Sequence, residues 1–231
     1  MIEVKHLSLD YKSNKILDDV NLSVKNGEIC GLVGRNGSGK TVLMKCICGF
    51  IPIKSGEIVV DDKVVGCDVD FPESMGIIIE YPVFAENKTG LQNLLLLASI
   101  KKIADKETII EYMNRFNLDP HSKTKVKKYS LGMKQKLAVI SAWIHNPKLI
   151  IMDEPFVGLD PKAAHLLKEM MKEACSEGSA IFFSTHVLEV AEKLCDKVAV
   201  IKGGRLIRSG SMEEVKGDDS LEAVFLELEA E

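Results

Sequence analysis

Apolar and polar residues alternate in two stretches near the beginning of the chain, and such alternation is typical of half-buried β-strands. The apolar positions are Ile2, Val4, Leu7 and Leu9, followed after the turn-like Ser13-Asn14 by Ile16, Val20, Leu22 and Val24. This pattern predicts two strands of an antiparallel layer. Residues 58–60 and 64–65 are again apolar and flank Asp61-Asp62-Lys63, which predicts a further hairpin.

Several runs are apolar throughout, which is typical of strands buried on both faces of a parallel sheet. They cover residues 29–33, 77–79, 149–152, 180–183 and 198–201. Predicted helices separate several of these runs, at residues 42–47, at residues 161–176 and between residues 186 and 198. A βαβ series of this kind predicts an α/β fold with a multi-stranded sheet.

Between residues 81 and 145 the apolar positions recur at three- and four-residue spacing, which is typical of amphipathic helices. They are Leu91, Leu94, Leu95 and Ala98; then Ile109, Ile110, Met113 and Phe116; then Leu137, Ile140, Ser141 and Ile144 within a segment from Tyr129 to His145. The chain is therefore predicted to have a core of residues 1–80 and 146–231 and an inserted helical subdomain of residues 81–145. Residues 221–228 are predicted to form an amphipathic helix packed on its own domain.

Composition narrows the class of protein. The chain has 231 residues, of which 46% are hydrophobic, so it can bury a full core as one large domain or two small ones. A net charge of −4 without a basic stripe argues against a dedicated nucleic-acid binder. The six cysteines lack metal-ligand spacing and no secretory signal is apparent, so reduced thiols in a cytosolic protein are expected. The longest apolar stretch, residues 94–100, is too short to cross a bilayer.

A glycine-rich segment, GRNGSGKT, follows the first apolar run and precedes a predicted helix. It comprises Gly34, Arg35, Asn36, Gly37, Ser38, Gly39, Lys40 and Thr41. The glycines allow main-chain N–H groups to curl around phosphate oxygens, and the helix directs its positive end at the same anion. Lys40 is placed to reach the β- and γ-phosphates and Thr41 to ligate Mg²⁺, so this segment predicts a site for a nucleoside triphosphate.

Two carboxylates follow the apolar run of residues 149–152. Asp153 can hold Mg²⁺ directly or through water, and Glu154 can polarise the attacking water. Adjacent strand residues point in opposite directions, so both side chains serve one site only if the strand ends there. Tyr11 follows the first predicted strand, where its ring can either stack on a purine or simply cover the surface.

In this order, these segments resemble the ATP-binding subunit of an ATP-binding cassette (ABC) transporter over essentially the whole chain. GRNGSGKT is similar to the Walker A motif, LIIMDE at residues 149–154 to Walker B, and GLD at residues 158–160 to the D-loop. YSLGMKQKL at residues 129–137 is similar to the family signature LSGGQ. The resemblance implies that Tyr11 stacks on adenine, that Glu154 is the catalytic glutamate, and that His186 senses the γ-phosphate.

The resemblance implies an α/β fold, a P-loop NTPase (RecA-like) core with an antiparallel β layer and an inserted α-helical subdomain. It also implies ATP and Mg²⁺ as cofactors, and a sandwich in which the signature of one subunit closes over ATP bound by another, as a homodimer or with a related cassette. Ser130, Gly132 and Met133 are then aimed at the γ-phosphate. The helical insert contacts a separate transmembrane permease at the cytoplasmic face of the membrane, with residues 80–84 as the coupling element, and no nucleic acid is expected.

Two positions depart from the family pattern. Leu131 replaces a glycine of the signature, and Glu80 stands where a glutamine is usual, as a candidate Mg²⁺ ligand. IIIEYPVF and YSLGMKQKL resemble the ATPases of bacitracin and lantibiotic exporters. Two alternatives are a soluble ABC ATPase that acts on ribosomes or nucleic acid, and a nucleotide-sensing module that does not turn over.

Overall fold

The structure of the chain is a computed structural model that describes residues 1–12, 14–80, 83–101 and 104–230. Ser13 of the predicted first turn, and Tyr81 and Pro82 of the predicted coupling element, lie outside these residues. The strands are β1 (Ile2–Tyr11), β2 (Asn14–Val24), β3 (Ile29–Val33), β4 (Ser55–Val60), β5 (Lys63–Val64), β6 (Met75–Ile78), β7 (Leu149–Met152), β8 (Ala180–Thr185), β9 (Lys197–Lys202) and β10 (Arg205–Ser211). The helices are α1 (Lys40–Ile47), α2 (Gly90–Lys101), α3 (Lys106–Arg115), α4 (Leu131–Trp143), α5 (Pro161–Ser176), α6 (Leu188–Leu194), α7 (Met212–Lys216) and α8 (Leu221–Ala230).

Within these residues the strands form two sheets. The antiparallel sheet has the order β2-β1-β4-β5, and the central sheet has the order β10-β9-β3-β8-β7-β6. In the central sheet β10 alone is antiparallel to its neighbour among the described strands. The predicted antiparallel layer, its hairpin at residues 61–62 and the parallel series are thus confirmed.

Alternate residues of β3, β7, β8 and β9 face two different cores. Leu149 and Ile151 of β7 pack with α1 and the antiparallel sheet, whereas Ile150 and Met152 pack with the helices on the opposite face. Strands covered on both faces are apolar throughout, which explains the uninterrupted runs in the sequence. The helical insert shares the second core with the central sheet, so its division as a separate subdomain stays a prediction.

Several predicted boundaries were wrong by one or a few residues. Tyr11 is the last residue of β1 rather than a residue outside it, β6 ends at Ile78 rather than Ile79, and the helix predicted from Tyr129 to His145 spans only Leu131–Trp143. Helix α4 starts at residue 131 because Ser130 caps it, its hydroxyl accepting a hydrogen bond from the Met133 amide at 3.2 Å. The predicted tail helix packs on its own domain through Leu221 and Val224.

Strand β10 and helix α7 were not predicted from the sequence. Strand β10, with the sequence RLIRSGS, lies at an edge and is largely exposed, so it carries no apolar run. Helix α7 did carry a signal, because Ser211 and Glu214 form a reciprocal capping box at its start.

Candidate active site

The glycine-rich loop joins β3 to α1, as predicted. Gly37 and Gly39 have φ angles of 80° and 109°, which side chains rarely allow. Gly34 is needed for a different reason than expected, because a Cβ atom there would lie 2.4 Å from the Ile201 carbonyl oxygen. The loop is therefore pressed against β9, and its backbone is free to wrap an anion at the start of α1.

Lys40 lies inside the curl of this loop with only 6% of its surface exposed. Its ammonium group donates hydrogen bonds to the carbonyl oxygens of Gly34 at 2.6 Å and Arg35 at 3.0 Å. Burial lowers the pKa of Lys40 from its usual value, and the nearby charges of Glu154 and Asp153 partly oppose that shift. A positive charge is thus held at low dielectric where phosphate oxygens would approach.

The loop is braced from outside by the turn between β9 and β10. The Gly204 amide donates to the Ser38 carbonyl oxygen at 2.9 Å, and the Gly204 carbonyl oxygen accepts from the Asp18 amide at 2.9 Å. A Cβ atom on Gly204 would lie 2.3 Å from the Ile16 carbonyl oxygen, so β2 and the turn meet backbone to backbone. This brace connects the phosphate loop to the antiparallel sheet.

Gly204→Ala should therefore lower the free energy of unfolding by about 2–4 kcal/mol, because it adds a backbone clash to the strain of a positive φ. Gly203 is the matched control, because it also has a positive φ but open space around its would-be Cβ atom. Gly203→Ala should cost about 1 kcal/mol. Urea denaturation of both variants measures the difference, and equal losses of stability would contradict the close approach at Gly204.

Asp153 is the centre of a hydrogen-bonded group at the carboxyl ends of β7 and β8. Its two carboxylate oxygens accept hydrogen bonds from the hydroxyls of Thr41, at 2.6 Å, and Ser184, at 2.5 Å. The Ser184 hydroxyl also accepts from the Glu154 amide at 3.0 Å. Ser184 was not predicted as a site residue, although a serine ending an apolar run in a parallel series is a usable signal.

Glu154 turns into the same site because the strand ends before it. Strand β7 stops at Met152, and Glu154 has a φ of 48°, so its side chain does not follow the strand alternation. One of its carboxylate oxygens pairs with His186 Nδ1 at 2.9 Å. The structure thus brings together the predicted residues Lys40, Thr41, Asp153, Glu154 and His186.

The donor atoms fit a bound magnesium nucleotide. The Thr41 hydroxyl and the Asp153 carboxylate are adjacent hard oxygen ligands of the kind that Mg²⁺ prefers. Among the described residues, the Ser38 hydroxyl and the second oxygen of Glu154 are buried without a hydrogen-bond partner in the protein. Buried polar atoms of this kind are normally paired, so both are suited to contacts with a ligand or water.

Glu80 and Glu154 occupy equivalent positions past the ends of neighbouring strands. Strands β6 and β7 pair in register with Ile78 opposite Met152, and each glutamate lies two residues further on. Glu80 has a φ of 59°, close to the 48° of Glu154. Both side chains line a cleft of about 340 Å³ that also includes Asn36, Asp153 and His186. Glu80 is thus close enough to the site to serve it, and its role as a metal ligand stays a prediction.

The signature residues Ser130, Gly132 and Met133 form the start of α4. Gln135 donates to the Pro155 carbonyl oxygen at 3.0 Å, and Lys136 pairs with Asp160 at 2.6 Å, so this helix is fixed to the loop that follows Walker B. Tyr11 lies on the antiparallel sheet, 66% exposed, with the Lys12 ammonium 5.7 Å from its ring centre. The predicted contacts of these residues with nucleotide remain predictions.

A phosphate loop after one parallel strand, with carboxylates that follow other parallel strands of the same sheet, defines the class of P-loop nucleoside triphosphatases. Residues 17–157 match the family described as ABC transporter. The lantibiotic transport ATP-binding protein SrtF of Streptococcus pyogenes is 33% identical over 97% of this chain and 96% of its own. The bacitracin transport ATP-binding protein BcrA of Bacillus licheniformis is 35% identical over 94% of this chain and 71% of its own.

A solved structure described as the ATP-binding subunit of an ABC transporter is 32% identical, has a TM-score of 0.92, and matches over 99% of both chains. The chain therefore belongs to the ABC transporter family, as one of its ATP-binding subunits and an ATPase. The alternative of a soluble ATPase acting on ribosomes or nucleic acid is not favoured. In the part of the chain that the structure describes, no helix is both long and apolar enough to span a membrane.

Proposed function

We propose that this ATPase binds ATP together with Mg²⁺ and powers the export of a substrate, in particular an antimicrobial peptide of the lantibiotic or bacitracin kind, through a separate membrane subunit. The hydrolytic part of the proposal depends on the connected group of Thr41, Asp153, Ser184, Glu154 and His186 beside the phosphate loop. The names of the relatives SrtF and BcrA support the class of substrate.

Each residue has a distinct role in hydrolysis. The loop amides and the Lys40 ammonium neutralise the phosphates, and Thr41 with Asp153 would hold Mg²⁺. When bound, Mg²⁺ neutralises charge that develops on the phosphate oxygens. Glu154 accepts a proton from the attacking water, and His186 orients the Glu154 carboxylate through their 2.9 Å hydrogen bond.

The exposed start of α4 supports an ATP sandwich of two subunits. Ser130 and Leu131 are exposed there, and Leu131 lines the cleft beside Glu154. The first turn of a helix directs its positive end and main-chain amides such as that of Gly132 at an anion, so a second copy or a related cassette can present Ser130, Gly132 and Met133 to the γ-phosphate. Charge stabilisation would then come from a partner subunit, and release of the sandwich would follow hydrolysis.

Export is tested in cells that carry the chain with its native membrane subunit. Such cells should tolerate a lantibiotic or bacitracin better than cells carrying Glu154→Gln, while both should be equally sensitive to an unrelated antibiotic. Fractionation should place the wild-type chain with the cytoplasmic membrane. Resistance that is independent of Glu154, or recovery of the chain with ribosomes, would contradict the proposal.

Glu80→Gln should change the ATPase rate by less than about tenfold, equivalent to about 1.4 kcal/mol in the barrier. The amide keeps an oxygen that can contact Mg²⁺ or water, while it removes the extra negative charge and adds an N–H donor. Glu80→Ala removes the oxygen and should impair transport more than basal hydrolysis, because residue 80 lies between the ATP site and the proposed coupling surface. ATPase rates and substrate efflux of both variants, assembled with the membrane subunit, make the comparison. Abolished hydrolysis in Glu80→Gln would show that Glu80 is catalytic.

A further inference from the structure

Lys45 forms an ion pair with Glu80 at the edge of the active site. It lies in the last turn of α1, four residues after Thr41, so the two side chains project from the same side of the helix. The Lys45 ammonium is 2.6 Å from one carboxylate oxygen of Glu80. The Lys45 side chain is 25% exposed and that of Glu80 is 59% exposed. Glu80, two residues past the end of β6, is thus tied to the helix that starts at the phosphate loop.

The pair stands between two cavities. Glu80 lines the catalytic cleft with Asp153 and Glu154, and together with Lys45 it also lines a neighbouring groove of about 430 Å³. The groove carries exposed apolar side chains, including Val83 and Phe50. Movement of the Glu80 carboxylate toward or away from Lys45 therefore changes the charge that faces the catalytic cleft.

The balance of charge explains why such a partner is needed. Glu80, Asp153 and Glu154 place three carboxylates around one cleft, which opposes the approach of an anionic triphosphate. Lys40 faces Asp153 and Glu154 from within the loop, while Lys45 lies against Glu80. An ammonium group at 2.6 Å offsets the added charge of Glu80, but it also occupies an oxygen that a divalent cation would need.

We propose that Lys45 is a positioning residue that competes with the nucleotide-bound divalent cation for the Glu80 carboxylate. This inference rests on the proposed binding of ATP with Mg²⁺ at this site. Lys45 lowers the repulsion of ATP before the cation arrives, and it raises the concentration of cation needed to draw Glu80 to the metal. The pair thereby sets the Mg²⁺ dependence of nucleotide binding.

The test is the binding of a fluorescent ATP analogue to Lys45→Met, with hydrolysis suppressed by Glu154→Gln in all proteins compared. Without divalent cation, Lys45→Met should weaken nucleotide binding about fivefold, because the negative charge of Glu80 then has no ammonium group beside it and repels the triphosphate. At a fixed nucleotide concentration that does not saturate the protein without Mg²⁺, it should lower the Mg²⁺ concentration for the half-maximal rise in bound nucleotide about threefold, because the competitor for Glu80 is gone.

Three further variants separate this role from a general effect of charge. Lys45→Arg should stay within about twofold of the parent protein, since it keeps the pair. Lys63→Met is the matched control, because Lys63 forms an ion pair with Glu73, with an N–O distance of 2.7 Å, and this pair lies outside the site. It should change neither the nucleotide affinity nor the Mg²⁺ midpoint. In a Glu80→Gln background, Lys45→Met should leave the Mg²⁺ midpoint unchanged.

An unchanged Mg²⁺ midpoint in Lys45→Met, or an equal shift with Glu80→Gln, would overturn the inference. Failure of the parent protein to bind the ATP analogue at any Mg²⁺ concentration would instead overturn the proposed function. The two failures are therefore distinguishable in one titration series.

Discussion

Glu154→Gln should retain ATP binding but lower the rate of hydrolysis by about 10²-fold or more, as the loss of a positioned general base implies. The substitution keeps the size of the side chain and an oxygen or amide that can pair with His186, so the site keeps its shape. What disappears is the carboxylate whose second oxygen is buried without a hydrogen-bond partner among the described residues. Phosphate release and nucleotide binding, measured on one preparation, separate the two effects.

The same variant should accumulate an ATP-bound dimer, because a sandwich that cannot hydrolyse its nucleotide is not released. Size-exclusion chromatography with ATP and Mg²⁺ measures this. Glu189→Gln is a suitable control, because Glu189 pairs with Lys193 on the surface of α6, and it should behave as the wild type does. A mutant that stays monomeric with ATP demonstrably bound would contradict the sandwich.

Lys40→Ala should weaken ATP binding about 10²-fold or more. The ammonium group can donate charge-assisted hydrogen bonds to the phosphates, each contributing about 1.5–3 kcal/mol, and a tenfold change in affinity corresponds to about 1.4 kcal/mol. Lys40 is held beside the Gly34 carbonyl oxygen at 2.6 Å, so it needs little rearrangement to meet a phosphate. Calorimetric titration with a non-hydrolysable ATP analogue measures the loss.

Thermal unfolding distinguishes this role from a structural one. Burial of the Lys40 charge opposes its protonated form and lowers its pKa, so removing that charge should leave the unfolding midpoint unchanged or raised. Lys63→Ala, at a surface ion pair, should preserve nucleotide affinity. Wild-type affinity in Lys40→Ala would refute the assignment of Lys40 to the phosphates.

Much of the fold could be predicted because local patterns carry it. Strands covered on both faces are apolar at nearly every position, and helices covered on one face have apolar residues every three to four positions. The phosphate loop is local as well, since its eight consecutive residues supply glycines, lysine and threonine together. Placing both Asp153 and Glu154 in one site required in addition that β7 end at Met152, and the change from apolar to acidic residues indicates this end.

Other features are decided by contacts between distant segments. Strand β10 is held at the sheet edge by its backbone pairing with β9. Its side chains are largely exposed there, so the strand does not require an apolar run. Gly204 supports Ser38 through backbone atoms alone, so the contact does not depend on the Ser38 side chain and is not visible in the sequence. Ser184 reaches Asp153 only because β8 lies beside β7 in a particular register.

By itself, the sequence determined the order of strands and helices apart from β10 and α7, the phosphate loop and the acidic residues that follow β7, since each depends on neighbours along the chain. The tertiary structure alone decided that Lys45 would pair with Glu80, that Glu80 and Glu154 would occupy equivalent positions, and that the turn at Gly204 would brace the loop. Those relations depend on strand register and on the position of α1 relative to the residues that follow β6. Periodicity along a chain does not encode which distant atoms come within hydrogen-bonding distance.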